Sequence, residues 1–172
     1  MMKTVGVAIQ SANQLHGPLE SVFRQWNDLR AGKTAPTWSE FSLVNLPPKS
    51  LPWTVVVEPV PDHDDFRIRF WGTERSRLQG EQTGNLVSSL SPPELAEKLL
   101  SEYREVRDAQ SPMLYATDAT NDRVSIHFTM MRLPISDDGR SVTRILSMID
   151  YNRIDGSLYD FYDTTRPYHL RT

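Results

Sequence analysis

The spacing of apolar residues changes twice along the chain, and each change marks a new kind of element. Leu19, Val22, Phe23, Trp26 and Leu29 recur at helical spacing, with Glu20, Arg24, Gln25, Asp28 and Arg30 on the opposite face. Pro18 suits the first turn of this amphipathic helix, and Gly32 supplies a left-handed stop. Residues 33–52 then place Pro36, Pro47, Pro48 and Pro52 among Trp38, Phe41, Leu43 and Leu46. Proline at that density forbids a regular helix and disfavours a central strand, so the stretch reads as an ordered connection strapped over the domain.

The period then becomes two. Trp53–Glu58 is rich in β-branched residues, and Phe66–Trp71 sends Phe66, Ile68 and Phe70 one way and Arg67, Arg69 and Trp71 the other. The turn residues 61–65 join them as a hairpin. Gly72 breaks the strand, and Thr73 is placed to cap a short helix through Gln79. After glycines at 80 and 84, Ser91-Pro92-Pro93-Glu94 predicts a helix start with Ser91 as cap. Leu95, Leu99, Tyr103 and Val106 mark one face of that helix, which runs to about Ala109. Strand character returns over Met113–Ala119, Val124–Leu133 and Val142–Tyr151, joined by Thr120-Asn121-Asp122 and by Ser136 to Gly139.

The pattern predicts an α+β fold: a five-stranded antiparallel sheet with helices on one face, plus the N-terminal amphipathic helix. It divides the chain into a helical extension (1–34), a domain (35–154) and a tail (155–172). The tail carries Tyr159, Phe161, Tyr162 and Tyr168 without clear periodicity.

Composition narrows the function. A chain of 172 residues is one ordinary domain, able to bury a core without a metal or disulfide staple. The absence of cysteine removes disulfides, thiolate metal sites, a cysteine nucleophile and a cysteinyl–flavin adduct. A net charge of −3 and a pI near 5.8 argue against nucleic acid as a partner. One basic excess stands out, Arg67, Arg69, Arg75 and Arg77. It reads as alternation on an exposed strand face, with anion or partner binding as the other use. The chain offers no apolar run long enough for a membrane span and no signal peptide, and a cytoplasmic address is expected.

The order of elements, with particular residues, resembles the PAS domain, and most closely a bacterial subgroup of stand-alone PAS-like proteins. The residues that carry the resemblance are Ala35-Pro36 leading to Phe41, the strand Phe66 to Trp71 closing on Gly72-Thr73, and Gly80 with Thr83-Gly84. A later strand closing on Leu133-Pro134-Ile135, a turn at Asp138-Gly139 and the strand through Ile145-Leu146 complete it. The match spans Ala35 to Tyr151. It implies a fold and a role in sensing or protein contact. It names no ligand, because PAS domains hold haem, flavin, organic acids or nothing.

The candidate chemistry is sparse, and the cofactor is unknown. His16, His63, His127 and His169 lie outside ligand spacing of one another. His127, between Ile126 and Phe128, reads as an ordinary strand residue before an axial haem ligand or pH sensor. The helix from Glu94 to Ala109 has no histidine, and the last strands lack the amides that would hold flavin. Asp62, His63, Asp64 and Asp65 read as a solvated turn. Alternating positions put Phe66, Ile68, Phe70, Ile126, Phe128, Met130, Leu146 and Met148 towards the helices. Phe70, Tyr115, Phe128, Met130 and Met148 are the candidate ligand-binding residues, for a small, largely apolar ligand or else a filled core. The opposite face is also partly apolar, through Met131, Leu133, Ile145 and Ile149. It must be covered by the helix bearing Leu19, Val22, Phe23 and Trp26, from the same chain or from a second copy as a homodimer.

The leading reading is therefore a regulatory module without intrinsic catalysis, whose signal passes to a signalling partner that the sequence does not name. Two others compete with it. One is a small α+β cavity enzyme or binding protein with a pocket Asp–His pair, built from His127 with Asp118 or Asp150. The other is an interaction protein with a solid core.

Overall fold

The computed structural model describes residues 1–163. Tyr168 and His169 lie outside the described residues. Six strands form one antiparallel sheet: β1 (Met2–Ala8), β2 (Thr54–Pro59), β3 (Phe66–Trp71), β4 (Met113–Thr120), β5 (Ser125–Ile135) and β6 (Arg144–Ile149), in the spatial order β1-β4-β5-β6-β2-β3. Four helices accompany them: α1 (Gly17–Arg30), α2 (Thr73–Gln79), α3 (Pro93–Ala109) and α4 (Gly156–Asp163). The expected hairpin and meander are present and joined through β2 and β6. The expected strand count of five becomes six, because β1 adds itself to the outer edge of β4.

The N-terminal strand escaped the pattern for a physical reason. Its apolar residues Val5 and Val7 point outward and are 61% and 46% exposed. Gly6 sits at the position facing the interior, where a Cβ would come within 2.6 Å of the Tyr115 ring. A strand with glycine inside and valine outside inverts the usual signal.

Each sheet face carries a buried core. On one face α2, α3 and α4 cover Val55, Val57, Phe66, Ile68, Tyr115, Phe128, Met130, Ile145 and Ile149. On the other, α1 and the proline-rich strap cover Val56, Met131, Leu133, Ile135, Leu146 and Met148. Leu19, Val22, Phe23 and Trp26 are all buried here, and the Trp26 indole donates to the Pro134 carbonyl at 2.9 Å. Of the two covers expected for this face, the same chain supplies it, and the apolar surface of these four residues is used within that chain.

Two face assignments also change. The β2–β3 register steps between Val56 and Val57, with Val56 opposite Phe70 and Val57 opposite Ile68. Arg69 is the extra residue of this bulge, and it turns Phe70 onto the α1 face, away from Phe66 and Ile68. In β6, Met130 pairs with Ile149 and Met131 with Met148, so Leu146 and Met148 also face α1. Such parity is set by the length of the 136–143 connection, which alternation within a strand does not report. Helix starts move slightly: Gly72 is the N-cap of α2 and Pro92 that of α3. Residues 156–163 form α4, which buries Leu158, Phe161 and Tyr162 in the α3-side core.

Gly72 joins the sheet to α2 under tight constraint. A Cβ there would lie 2.3 Å from the Pro52 carbonyl oxygen, which belongs to rigid backbone. This gives the Gly-Thr step at the end of β3 a steric cause. Gly72→Ala is expected to destabilise the protein by about 3 kcal/mol through overpacking, read as a lower urea midpoint at unchanged slope.

Candidate functional site

The α3 face of the sheet holds charge as well as hydrocarbon. Arg132 stands on β5 between Met131 and Leu133, and the pleat turns it towards α3. It is 1% exposed, as is Ser147 on β6, its cross-strand partner. Arg132 donates through Nε to Glu102 Oε2 at 3.0 Å and through Nη1 to Ser147 Oγ at 2.7 Å. A further bond runs from Nη2 to the same carboxylate oxygen. The guanidinium lies over the Tyr103 ring at 4.3 Å and the Tyr115 ring at 5.7 Å.

Glu102 is the hub. It comes from α3, one turn beyond Lys98, whose Nζ reaches its other oxygen at 2.7 Å. Thr4 Oγ1 of β1 donates to that same oxygen at 3.2 Å and meets Thr117 of β4 at 2.9 Å. Burial opposes ionisation of Glu102, but the charges of Arg132 and Lys98 outweigh it and hold the carboxyl below its ordinary value of 4.5. Lys98 moves the other way, because burial outweighs its attraction to Glu102 and lowers its pKa. Tyr115 donates its hydroxyl to Glu105 at 2.7 Å and to the Glu102 carbonyl at 3.2 Å. Burial and these acceptors push its pKa up, so it stays a neutral donor.

The five sequence-predicted ligand residues divide between the faces. Tyr115, Phe128 and Met130 lie together on the α3 face, around the ion cluster. Met148 and the partly buried Phe70 lie on the α1 face, so one ligand does not touch all five. The interior on the α3 face is not purely apolar, since Lys98, Glu102 and Arg132 are inside it. The sequence carried a signal for them. Lys98 and Glu102 sit three residues after Leu95 and Leu99 on the buried stripe of α3, and Arg132 interrupts an apolar run.

An Asp–His pair does form, but it is not enclosed. His127 Nδ1 and Asp118 Oδ1 are 2.8 Å apart across β4 and β5, with both side chains well exposed on the outer sheet face. Asp150 is buried elsewhere, with Arg153 as its charged neighbour at 3.5 Å. The 61–65 turn is tied down rather than free: Asp64 pairs with Arg104 and Arg107 of α3, and Asp65 accepts from Ser88. Among the described residues no group of three or more metal-binding side chains gathers, and no helix is long and apolar enough to cross a membrane.

Comparison with protein families matches the model described as PAS domain over residues 14–150. The matched span takes in α1, the strands β2 to β6 and the helices α2 and α3, and leaves β1 and α4 outside it. No curated protein and no solved structure matches the chain.

Glu102 should be the costliest single polar position in the molecule. Glu102→Gln leaves Arg132 and Lys98 without a buried counter-charge and is expected to cost about 3–5 kcal/mol in denaturant unfolding at neutral pH. The pH dependence has a definite sign. A carboxyl held below its ordinary value contributes in full above about pH 4.5, and loses the contribution as the pH falls through its folded value. The acid limb of stability should therefore be shallower in the Gln variant than in the native chain.

Proposed function

The chain belongs to the PAS domain family, and from that membership we propose that it is a sensory or regulatory module that works by binding a small molecule, a protein or both, without catalysis of its own. PAS domains are generally sensory. The observation that carries the reading for this chain is the Glu102 hub. Through it one buried carboxylate links α3 to β5, β6 and β1 by way of Arg132, Ser147 and Thr4. An occupant that competes for any of these bonds shifts the helical cover against the sheet, which is how binding inside such a shell becomes visible outside it.

Tyr115, Phe128 and Met130 share the buried face with that hub, and they are the proposed ligand contacts. A signalling partner would read the outer surface. A second copy would need a surface other than the apolar side of α1, and the outward valines of β1 offer one. The competing enzyme reading needs its Asp–His pair enclosed, and His127 with Asp118 faces outward. We place the module in the cytoplasm.

The test is native mass spectrometry on protein purified from its host, followed by hydrogen exchange on the same material. The expected result is a retained small molecule or partner chain whose removal alters exchange in α3 and β5. A bare chain whose exchange ignores host metabolites and proteins alike, or one that turns a compound over, would overturn the reading.

A further inference from the structure

A second buried polar cluster lies where β3 meets α2, and the Glu102 hub does not use it. Trp71, Arg75 and Gln79 are spaced by four residues, and the last two share a helix face. Trp71 and Arg75 are each 4% exposed, and the guanidinium lies over the indole at 5.3 Å. Arg75 Nη2 donates to Gln79 Oε1 at 3.0 Å, which engages the amide oxygen and leaves its nitrogen as the free end. Arg75 Nε, Trp71 Nε1 and Gln79 Nε2 are then all buried without an acceptor. Each of them is a donor. Buried N–H groups are rarely orphaned, so three from the end of β3 and from α2 call for an acceptor that the described residues do not supply.

Charge points the same way. Arg75 lies close enough to Arg132 and Lys98 for their charges to act on one another. Among the described residues this interior holds three cations against the single carboxylate of Glu102, which Arg132 and Lys98 already share. Tyr115 stays neutral. Arginine keeps its charge when buried, and a buried cation without a counter-charge is costly. The other arginines of the basic stretch behave differently: Arg69 pairs with Glu58 and Arg77 with Glu74 at the surface, while Arg67 donates to the Gly84 carbonyl. Only Arg75 turns inward.

We propose that Trp71, Arg75 and Gln79 bind the carboxylate group of a small organic acid. One N–H from the indole, one from the guanidinium and two from the amide match the roughly four lone-pair positions of a carboxylate. The negative charge offsets the excess of buried cations. The proposal rests on the reading of the chain as a ligand-responsive module and adds the chemical class of the ligand.

The experiment follows thermal unfolding in Tris chloride with acetate, succinate and phenylacetate, with the neutral amide of each, and with inorganic phosphate. At saturation at least one carboxylate should raise Tm by about 5 °C while its amide does not. Gln79→Glu places a carboxylate beside Arg75 from within the chain. It should raise Tm with no acid added and abolish the response. Arg75→Met should abolish the response as well, and Trp71→Phe, which keeps the ring and removes the donor, should weaken it about tenfold. Stabilisation by phosphate alone or by an amide would overturn the carboxylate class while leaving a ligand-responsive module standing. A response that survives in both Gln79→Glu and Arg75→Met would remove the site. No response to any compound would remove the carboxylate proposal, and the mass and exchange measurements then judge the module reading separately.

Discussion

A sheet with apolar side chains on both faces must be buried twice, and most of this architecture follows from that need. β5 shows it most plainly: Met130 faces α3 while Met131, Leu133 and Ile135 face α1. An isolated antiparallel sheet can leave one face wet, but Leu146, Met148 and Val56 make that untenable here. The chain meets the demand with its own segments. The helix α1 and the strap after it close one side, and the long crossover from β3 to β4 supplies α2 and α3 for the other. Each core is then a two-layer contact of helix on sheet, with the sheet shared.

Much of this was legible in the residues because periodicity reports local geometry directly. The stripe Leu19 to Leu29, the alternation of Phe66 to Trp71 and the stripe Leu95 to Val106 all became the elements they announced. What stayed hidden depends on relations between elements. Arg69 looks like one more exposed arginine, yet as the bulge residue it sends Phe70 to the opposite face from Ile68. Nothing inside β6 says whether Ile145 or Leu146 faces α3, since the pairing with β5 decides it. β1 was hidden differently, by turning its glycine inward and its valines outward. Register is a pairwise property, and a pattern read along one strand is blind to it.

The candidate site was less legible than the fold, and for a related reason. Tyr115, Phe128 and Met130 were found because large apolar residues on alternating positions gather by default. Arg132, Glu102, Lys98 and Arg75 were not, because a charged residue is presumed solvated until a partner is seen. The partners are remote in sequence: Arg132 and Glu102 are 30 positions apart, and Thr4 is 98 from Glu102. What local sequence did offer was position. Charged residues on the buried stripe of a helix, or amid an apolar run such as Met131 to Leu133, are anomalies that only burial with compensation resolves.

Such compensation is poor evidence for a purely stabilising role. A buried ion pair is often no better than well-packed hydrocarbon of the same volume, because desolvation consumes most of the attraction. A core that existed only to be stable would have little use for two cations on one carboxylate with a third buried nearby, or for Trp71, Arg75 and Gln79 holding donors against no acceptor among the described residues. An imbalance of that kind leaves the closed shell short of its best energy until something anionic enters, and the shortfall is what gives an entering anion leverage. The Glu102 hub lies within range of that charge and already joins α3 to three strands. A change of charge near Arg75 therefore alters the field at the bonds that set the position of the helical cover. The surplus of positive charge and the means of transmitting its neutralisation are parts of one electrostatic arrangement.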